Sequence, residues 1–300
     1  MKKKKILCVP AYWIYGVLAM AVIGIIVGSF LDYQIDAAIA NRTELGSYFA
    51  NYSGYFAFMF PTTGGTCIYA ALKDDPKWRK AGQGILLFGY TVSVLYCNNY
   101  APTYIRELYG YVPGESSPLM SVWAFLFWMA LNAGVSYLLM KVLDTDRKEE
   151  LIRAGILFIA VAIIGFLMAE WLKFVGSRPR FKYLITLDDP MSEYRNWWEM
   201  IPYLAKRSQD ELMSWPSAHM FRSGLTILLP VLSQVCKKQS SKRNMAMYAF
   251  SVVFMLLTTY NRLHMSNHFL SDVCWAMLLI VGVAAGMYCL LFDGVEKKTE

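Results

Sequence analysis

Long apolar runs alternate with short polar segments along this chain of 300 residues. Residues 11–31 contain no charged side chain, and a helix needs about 20 apolar residues to cross the core of a bilayer. Because no small-residue cleavage site follows this run, it predicts a retained span rather than a signal peptide. Further windows of spanning length lie at 54–72, 83–101, 119–140, 152–172, 220–236, 245–261 and 270–292. The pattern predicts an all-α, polytopic membrane helix bundle with about eight transmembrane helices.

The composition and the distribution of basic residues agree with this prediction. Only 17% of the residues are charged, whereas about a quarter are charged in a soluble domain. With the N-terminus in the cytoplasm, 18 of the 29 Lys and Arg residues lie in the cytoplasmic segments 1–10, 73–82, 141–153, 237–244 and 293–300. The positive-inside rule predicts this asymmetry. The net charge of +7 therefore indicates topology, and no nucleic-acid partner is needed to explain it.

Three polar segments, at 173–181, 215–224 and 261–272, fall at ends of predicted spans on the non-cytoplasmic side. They contribute a cluster of four basic residues, Lys173, Arg178, Arg180 and Arg262. Such a cluster repels itself unless an anion neutralises it, and the arginine fork matches two phosphate oxygens. The alternative is that these cations extend toward lipid headgroups as ordinary residues at helix ends.

The three histidines of the chain, His219, His264 and His268, also lie in these segments. His268 and Asp272 have helical i, i+4 spacing, so we expect the carboxylate to hold one imidazole nitrogen protonated and leave the other free to attack. His219 follows Ser217 at an expected helix start, where it could protonate a leaving oxygen while Ser217 binds the anion.

In order and spacing, the three segments resemble the signature of the type-2 phosphatidic acid phosphatase superfamily, which reads K-x6-R-P, P-S-G-H and S-R-x5-H-x3-D. The signature residues kept here are Lys173, Arg180, Pro216, Ser217, His219, Arg262, His268 and Asp272. Three positions differ: Phe181 stands for proline, Ala218 for glycine and Asn261 for serine. None of these changes removes a reacting group.

The resemblance implies a role for each kept residue. His268 would form a phosphohistidine, Asp272 would orient it, and His219 would protonate the leaving group and then activate water. The phosphate would be held by Lys173, Arg180, Ser217 and Arg262. No metal and no other cofactor is expected. Outside the shared pattern, Arg178, Arg222 and His264 are candidate substrate contacts.

We expect a single integral-membrane domain over residues 1–300. The N-terminal spans at 1–118 would precede a six-helix phosphatase core at 119–292. The expected location is a bacterial plasma membrane with an extracytoplasmic site, or the endoplasmic reticulum with a lumenal site in a eukaryote. The terminal KKTE sequence would fit a retrieval signal in the second case.

The sequence leaves the substrate open. A lipid phosphate or pyrophosphate in the bilayer is favoured, and the same chemistry could use a sugar phosphate or transfer the phosphate to another lipid. No obligate protein partner is inferred. A non-catalytic anion or lipid transporter is the alternative from a different class, and it predicts charged residues near the middle of the spans.

Overall fold

The computed structural model describes residues 4–43, 45–50, 59–108, 118–199 and 210–296. The structure is 77% helical, and eleven α-helices have both ends within the described residues. They are α1 (Ala11–Ile39), α2 (Phe60–Leu72), α3 (Arg79–Leu108), α4 (Pro118–Val142), α5 (Lys148–Val175), α6 (Phe181–Leu184), α7 (Pro190–Glu193), α8 (Ala218–Gly224), α9 (Leu229–Gln234), α10 (Ser241–His264) and α11 (Leu270–Glu296). Strands β1 (Lys5–Ile6) and β2 (Val9–Pro10) form a small antiparallel hairpin before α1. The predicted helical bundle is confirmed.

Within the described residues, four helices are long and apolar enough to cross a membrane. They are Ala11–Ile39, Phe125–Val142, Lys148–Val175 and Leu270–Phe292. The chain is therefore an integral membrane protein, and the count of eight spans stays a prediction. The predicted span at 220–236 is built from α8, a 3-10 turn at Leu225–Leu228 and α9. Part of the predicted span at 54–72 lies outside the described residues.

Small residues allow the helices to approach closely. The backbone of α1 at Gly28 lies so near α11 that an added Cβ would sit 2.7 Å from the amide nitrogen of Ser271. Gly64 of α2 and Gly155 of α5 face each other, and a Cβ on either would lie 2.6 Å from the other's carbonyl oxygen. Close packing of this kind is typical of helices in membranes, where lipid supplies no hydrophobic drive for association.

A buried polar network joins α2, α3 and α4. The Thr62 hydroxyl donates to the Asn132 side chain at 2.7 Å, and the Thr62 amide donates to the Ser93 hydroxyl at 3.3 Å. Thr66 donates to Ser136 at 3.0 Å, one turn further along α2. These bonds satisfy polar groups that cannot bind water inside a membrane. They therefore fix the positions of α2, α3 and α4 relative to one another.

The segments between α4 and α5 and between α9 and α10 meet at one end of the bundle. The Asp144 amide donates to the Val235 carbonyl at 3.0 Å, and an Arg153 side-chain nitrogen donates to the Leu291 carbonyl at 2.7 Å. Arg147, Lys237 and Lys238, in these two segments, are among the basic residues that the sequence assigns to the cytoplasm. The three motifs lie at the opposite end of the helices.

Candidate active site

The first motif is fixed by pairing with the segment that leads into the second. The Arg178 amide donates to the Leu212 carbonyl at 3.0 Å, and the Ser214 amide donates to the Arg178 carbonyl at 3.0 Å. The Arg180 amide donates to the Glu211 carbonyl at 2.8 Å. Because these bonds join 178–180 to 211–214, the basic segment after α5 lies directly beside the start of α8.

The third motif spans the turn between α10 and α11. Ser266 has a positive φ of 58°, and its amide donates to the Leu263 carbonyl at 2.8 Å. The Asn267 amide donates to the Arg262 carbonyl at 3.1 Å. These two bonds form a Schellman motif, which ends a helix and usually has glycine at the position of Ser266. Arg262 therefore lies in the last turn of α10, and His268 lies just beyond the motif.

His268 is 2% exposed, and its Nδ1 is hydrogen-bonded to the backbone carbonyl of Ser214. The expected helical pairing of His268 with Asp272 is wrong, because α11 begins only at Leu270 and leaves His268 outside the helix. Asp272 instead accepts from the Phe269 amide at 3.0 Å and from the Ser214 hydroxyl at 2.5 Å. The carboxylate thus reaches the imidazole through Ser214.

The Ser214 carbonyl determines which nitrogen of His268 carries the proton. A carbonyl oxygen only accepts, so Nδ1 is the donor and Nε2 keeps its lone pair. Burial lowers the pKa of His268 well below its ordinary value, and the charges of Arg180, Lys173 and Arg262 lower it further. The ring is therefore held neutral, which is the state that a nucleophile requires.

His219, the second residue of α8, shares two of these cations, Lys173 and Arg262, with His268. Burial lowers the pKa of His219 well below its ordinary value, with further lowering by Arg262, Arg222, His268 and Lys173. The pKa of His219 is lowered by residues from all three motifs, and that of His268 by residues from the first and the third. The structure thus gathers at one place the residues that the sequence predicts to act together.

Arg262 is fully buried and is fixed by its neighbour. The Asn261 side-chain oxygen accepts from Nε of Arg262 at 3.2 Å and also from Nη2. The Asn261 amide group donates to the Gly46 carbonyl at 2.9 Å. Asparagine at the signature's serine position therefore has a clear structural purpose here, because it orients the guanidinium.

Arg180 and Ser217 occupy defined positions in the site. Arg180 donates from Nη1 to the Asn267 side-chain oxygen at 3.3 Å. Ser217 is the N-cap of α8: its hydroxyl accepts from the Met220 amide at 3.4 Å, and its own amide donates to the Asp272 carbonyl at 3.2 Å. The second motif is thereby joined to the start of α11.

Arg178, a predicted substrate contact, has a different position from the one expected. It is 2% exposed and pairs with Asp272 at 2.6 Å and with Asp32 at 3.0 Å. It also donates to the Ser271 hydroxyl at 2.9 Å and to the Arg195 carbonyl at 2.8 Å. Because its guanidinium is directed at protein acceptors behind the nucleophile, Arg178 supports the site and is not placed to bind substrate.

The other two candidate substrate contacts, Arg222 and His264, lie in different surroundings. Arg222 lies over the ring of Tyr96 at 5.0 Å and lines a pocket with Glu170. His264 is bonded through Nδ1 to the Ile39 carbonyl at 3.1 Å and stacks on Tyr260. Arg222 therefore belongs to the surroundings of His219, whereas His264 packs the end of α10 against the end of α1.

The sequence reasoning missed Asp32, Ser214 and Asn267. Asp32 had a signal, because it is the first charged residue after an uncharged span, and acidic groups within membrane helices usually have a function or a partner. Ser214 and Asn267 act mainly through contacts with distant segments, and nothing in the local sequence indicates them.

One of three comparisons with known proteins gives a match. A model of the PAP2 superfamily matches residues 153–295, and this stretch includes all three motifs. No curated protein and no solved structure matches the chain. Asp32 and Tyr96, which contact the motifs from α1 and α3, lie outside the matched residues.

Proposed function

We propose that this chain, whose residues 153–295 match the model of the PAP2 superfamily, is a member of that superfamily and hydrolyses a phosphomonoester or pyrophosphate of a lipid through a phosphohistidine at His268. Members of the superfamily are generally phosphatases, often acting on lipids. The observation that carries the proposal is the bond from Nδ1 of His268 to the Ser214 carbonyl, which leaves Nε2 as a nucleophile amid basic residues.

In the first step, Nε2 of His268 attacks phosphorus and the bond from phosphorus to the leaving oxygen breaks. His219 donates its proton to that oxygen. Without an anion the surrounding cations favour neutral His219. A bound phosphate dianion offsets this effect, so the substrate itself favours the protonated acid that the step requires.

In the second step, water attacks the phosphohistidine and the bond from phosphorus to nitrogen breaks. His219, now neutral, takes the proton from that water. Lys173, Arg180 and Arg262 stabilise the negative charge on the phosphoryl oxygens in both steps, which is the main contribution a protein makes to phosphoryl transfer. Ser217 adds a hydrogen bond to the phosphate.

A lipid substrate is favoured by where the motifs lie. The first motif follows α5 and the third precedes α11, both helices long enough to cross a bilayer, so a phosphate in this site would be at the level of the headgroups. The basic segments at the opposite end of the bundle support a cytoplasmic position for both termini and a non-cytoplasmic site. The close contacts of α1 with α11 and of α2 with α5 support one membrane domain.

Release of phosphate by the purified protein in detergent tests the proposal. The substrate panel contains phosphatidic acid, phosphatidylglycerol phosphate, a polyprenyl pyrophosphate and glucose phosphate, with EDTA present. We expect release from at least one lipid and loss of about 10⁴-fold or more in kcat for His268→Ala. His264→Ala is the matched control, because this histidine lies in the same motif but binds the Ile39 carbonyl. It is expected to keep most of the activity.

Three results would contradict the proposal. Activity of the His268→Ala protein equal to that of wild type would exclude the nucleophile. Release from glucose phosphate alone would exclude a lipid substrate. Absence of release from every substrate would instead favour the transporter, which a flux assay in vesicles would then detect.

A further inference from the structure

The C-terminal part of α1, outside the family match, contacts the catalytic motifs through Asp32. Resting on the function proposed above, we infer that Asp32 is a positioning residue for the nucleophile His268. It acts by fixing Arg178 and the first turn of α11, and through them the Ser214 carbonyl that binds the imidazole. A continuous series of hydrogen bonds between buried groups joins Asp32 to His268.

Asp32 binds two separate parts of the motifs. Its Oδ1 accepts from the Ser271 amide at 3.0 Å, and its Oδ2 accepts from the Ser271 hydroxyl and from Nη2 of Arg178 at 3.0 Å. The Asp32 side chain is 1% exposed. Every contact is therefore made without competition from solvent, and each bond restricts the geometry more strongly than it would at the surface.

The bond to the Ser271 amide replaces a missing helix cap. The residue before α11 is Phe269, whose side chain has no group that could accept from the free amides of the first turn. Asp272 reaches back to the Phe269 amide, as an acidic third residue does in a capping box. The Ser271 amide is instead satisfied by Asp32 of α1. The start of α11, two residues after His268, is thus held by a helix far away in the sequence.

The bond to Arg178 leads to the imidazole by two routes. Arg178 binds Oδ1 of Asp272 at 2.6 Å, and Oδ2 of Asp272 accepts from the Ser214 hydroxyl at 2.5 Å. The Arg178 carbonyl also accepts from the Ser214 amide at 3.0 Å. Ser214 is held at both its amide and its hydroxyl, and its carbonyl binds Nδ1 of His268. A displacement of Arg178 therefore displaces the acceptor that orients the ring.

Gly28 allows α1 to lie close enough to α11 for Asp32 to reach the Ser271 amide. A Cβ on Gly28 would lie 2.7 Å from the Ser271 amide nitrogen and 2.6 Å from Oδ1 of Asp32. Glycine at this position lets the helix backbones come close enough for an aspartate, with its short side chain, to bind an amide of α11. The contact is thus built into the packing of α1 on α11.

The test compares two carboxylates on the same helix. Asp32→Asn keeps the shape but turns a donor toward Arg178 and the Ser271 hydroxyl. Because a small displacement of a reacting group costs up to about 100-fold in rate, we expect kcat to fall about tenfold or more, with KM within about twofold of wild type. Asp36→Asn is the control. Asp36 is one turn away and 0% exposed, and its oxygens have no hydrogen-bond partner within the described residues. Its kcat should stay near that of wild type.

The outcomes separate this inference from the proposed function. A wild-type protein without activity, or an active His268→Ala protein, contradicts the function and with it the inference. With both of these as proposed, an Asp32→Asn kcat equal to that of wild type overturns the inference alone. So does a raised KM with unchanged kcat, because it would indicate substrate binding.

A second variant serves if Asp32→Asn does not elute as a folded protein in detergent. Ser271→Ala removes only one hydroxyl, which bonds both Asp32 and Arg178. We expect kcat to fall about threefold or more while the protein still elutes and unfolds as a single folded species, because loss of this hydroxyl loosens the contacts of both Asp32 and Arg178 with the start of α11. A folded Ser271→Ala protein with the kcat of wild type overturns the inference.

Discussion

Nδ1 of His268 is hydrogen-bonded to the backbone carbonyl oxygen of Ser214. Because this acceptor belongs to the main chain, no side-chain substitution at Ser214 removes it. The orientation of the nucleophile therefore depends on where the backbone lies, and that position is set by buried contacts to Arg178 and Asp272. Stability and catalysis are therefore coupled at this point.

Arg178→Gln should destabilise the protein strongly. It leaves the carboxylates of Asp32 and Asp272 buried without their cation, and breaking a buried pair in this way costs about 3–5 kcal/mol. Thermal unfolding in detergent measures the loss. Glu149→Gln is the control, because this carboxylate is exposed and its pair with Arg153 contributes about 0–1 kcal/mol. Equal decreases in unfolding temperature for the two variants would contradict the importance of the buried pairs.

Stability should fall as the pH drops through about 6.5. Burial and neighbouring cations lower the pKa of His268 and of His219 below the ordinary value of about 6.5. Below that pH the unfolded chain binds protons that the folded protein does not, so stability rises with pH in this range. The unfolding temperature should decrease between pH 7 and pH 5, and it should decrease less in His219→Gln. If the unfolding temperature of His219→Gln decreased as much as that of wild type, His219 would be excluded as a source of the pH dependence.

A tetrahedral dianion should bring a proton with it when it binds. Sulfate does not titrate near neutral pH, so proton uptake on its binding reports on the protein alone. We expect up to one proton to be taken up near pH 6, because the dianion offsets the cations that lower the pKa of His219. Calorimetry in two buffers with different ionisation enthalpies measures this uptake. His219→Gln should bind sulfate without uptake, and uptake unchanged in that variant would point to another group.

Gly28→Ala should destabilise the protein and lower its activity. The new Cβ would meet the Ser271 amide nitrogen, a backbone atom that cannot move aside cheaply, and overpacking of this kind costs about 1–3 kcal/mol. Gly16→Ala on the same helix is the control, because no heavy atom lies within 4 Å of its Cβ position. Both variants gain the same helix propensity. Equal unfolding temperatures and kcat values would show that α1 has room at Gly28.

The sequence predicts the helical class, the position of the apolar helices and the convergence of three motifs. These features depend on local hydrophobic periodicity and on residue types at fixed spacing. The predicted pairing of His268 with Asp272 failed because i, i+4 spacing places two side chains together only inside a helix. The polar residue Ser266, with its positive φ, ends α10 there without the glycine that usually announces such an end.

Contacts between distant segments could not be predicted from local sequence patterns. The bond from the Ser271 amide to Asp32 joins residues 239 positions apart. Asp32 was visible as a charge at the end of an uncharged span, but nothing in the sequence shows that Arg178 and Ser271 are its partners. The same limitation led to the prediction of Arg178 as a substrate contact, since an arginine beside a phosphate motif has the same residue type whether it binds substrate or protein.

The turn at Ser266 accounts for the spacing between Arg262 and His268 in the sequence. Arg262 receives the last hydrogen bond that closes α10, from Asn267, and Phe269 is already the first residue of the approach to α11. His268 is the single residue between the two. The interval from Arg262 to His268 is thus the length of chain needed to end α10 and approach α11 while leaving the His268 side chain outside both helices. An inserted residue would shift the nucleophile out of phase with its arginine, so this interval should resist insertion more than any surface loop.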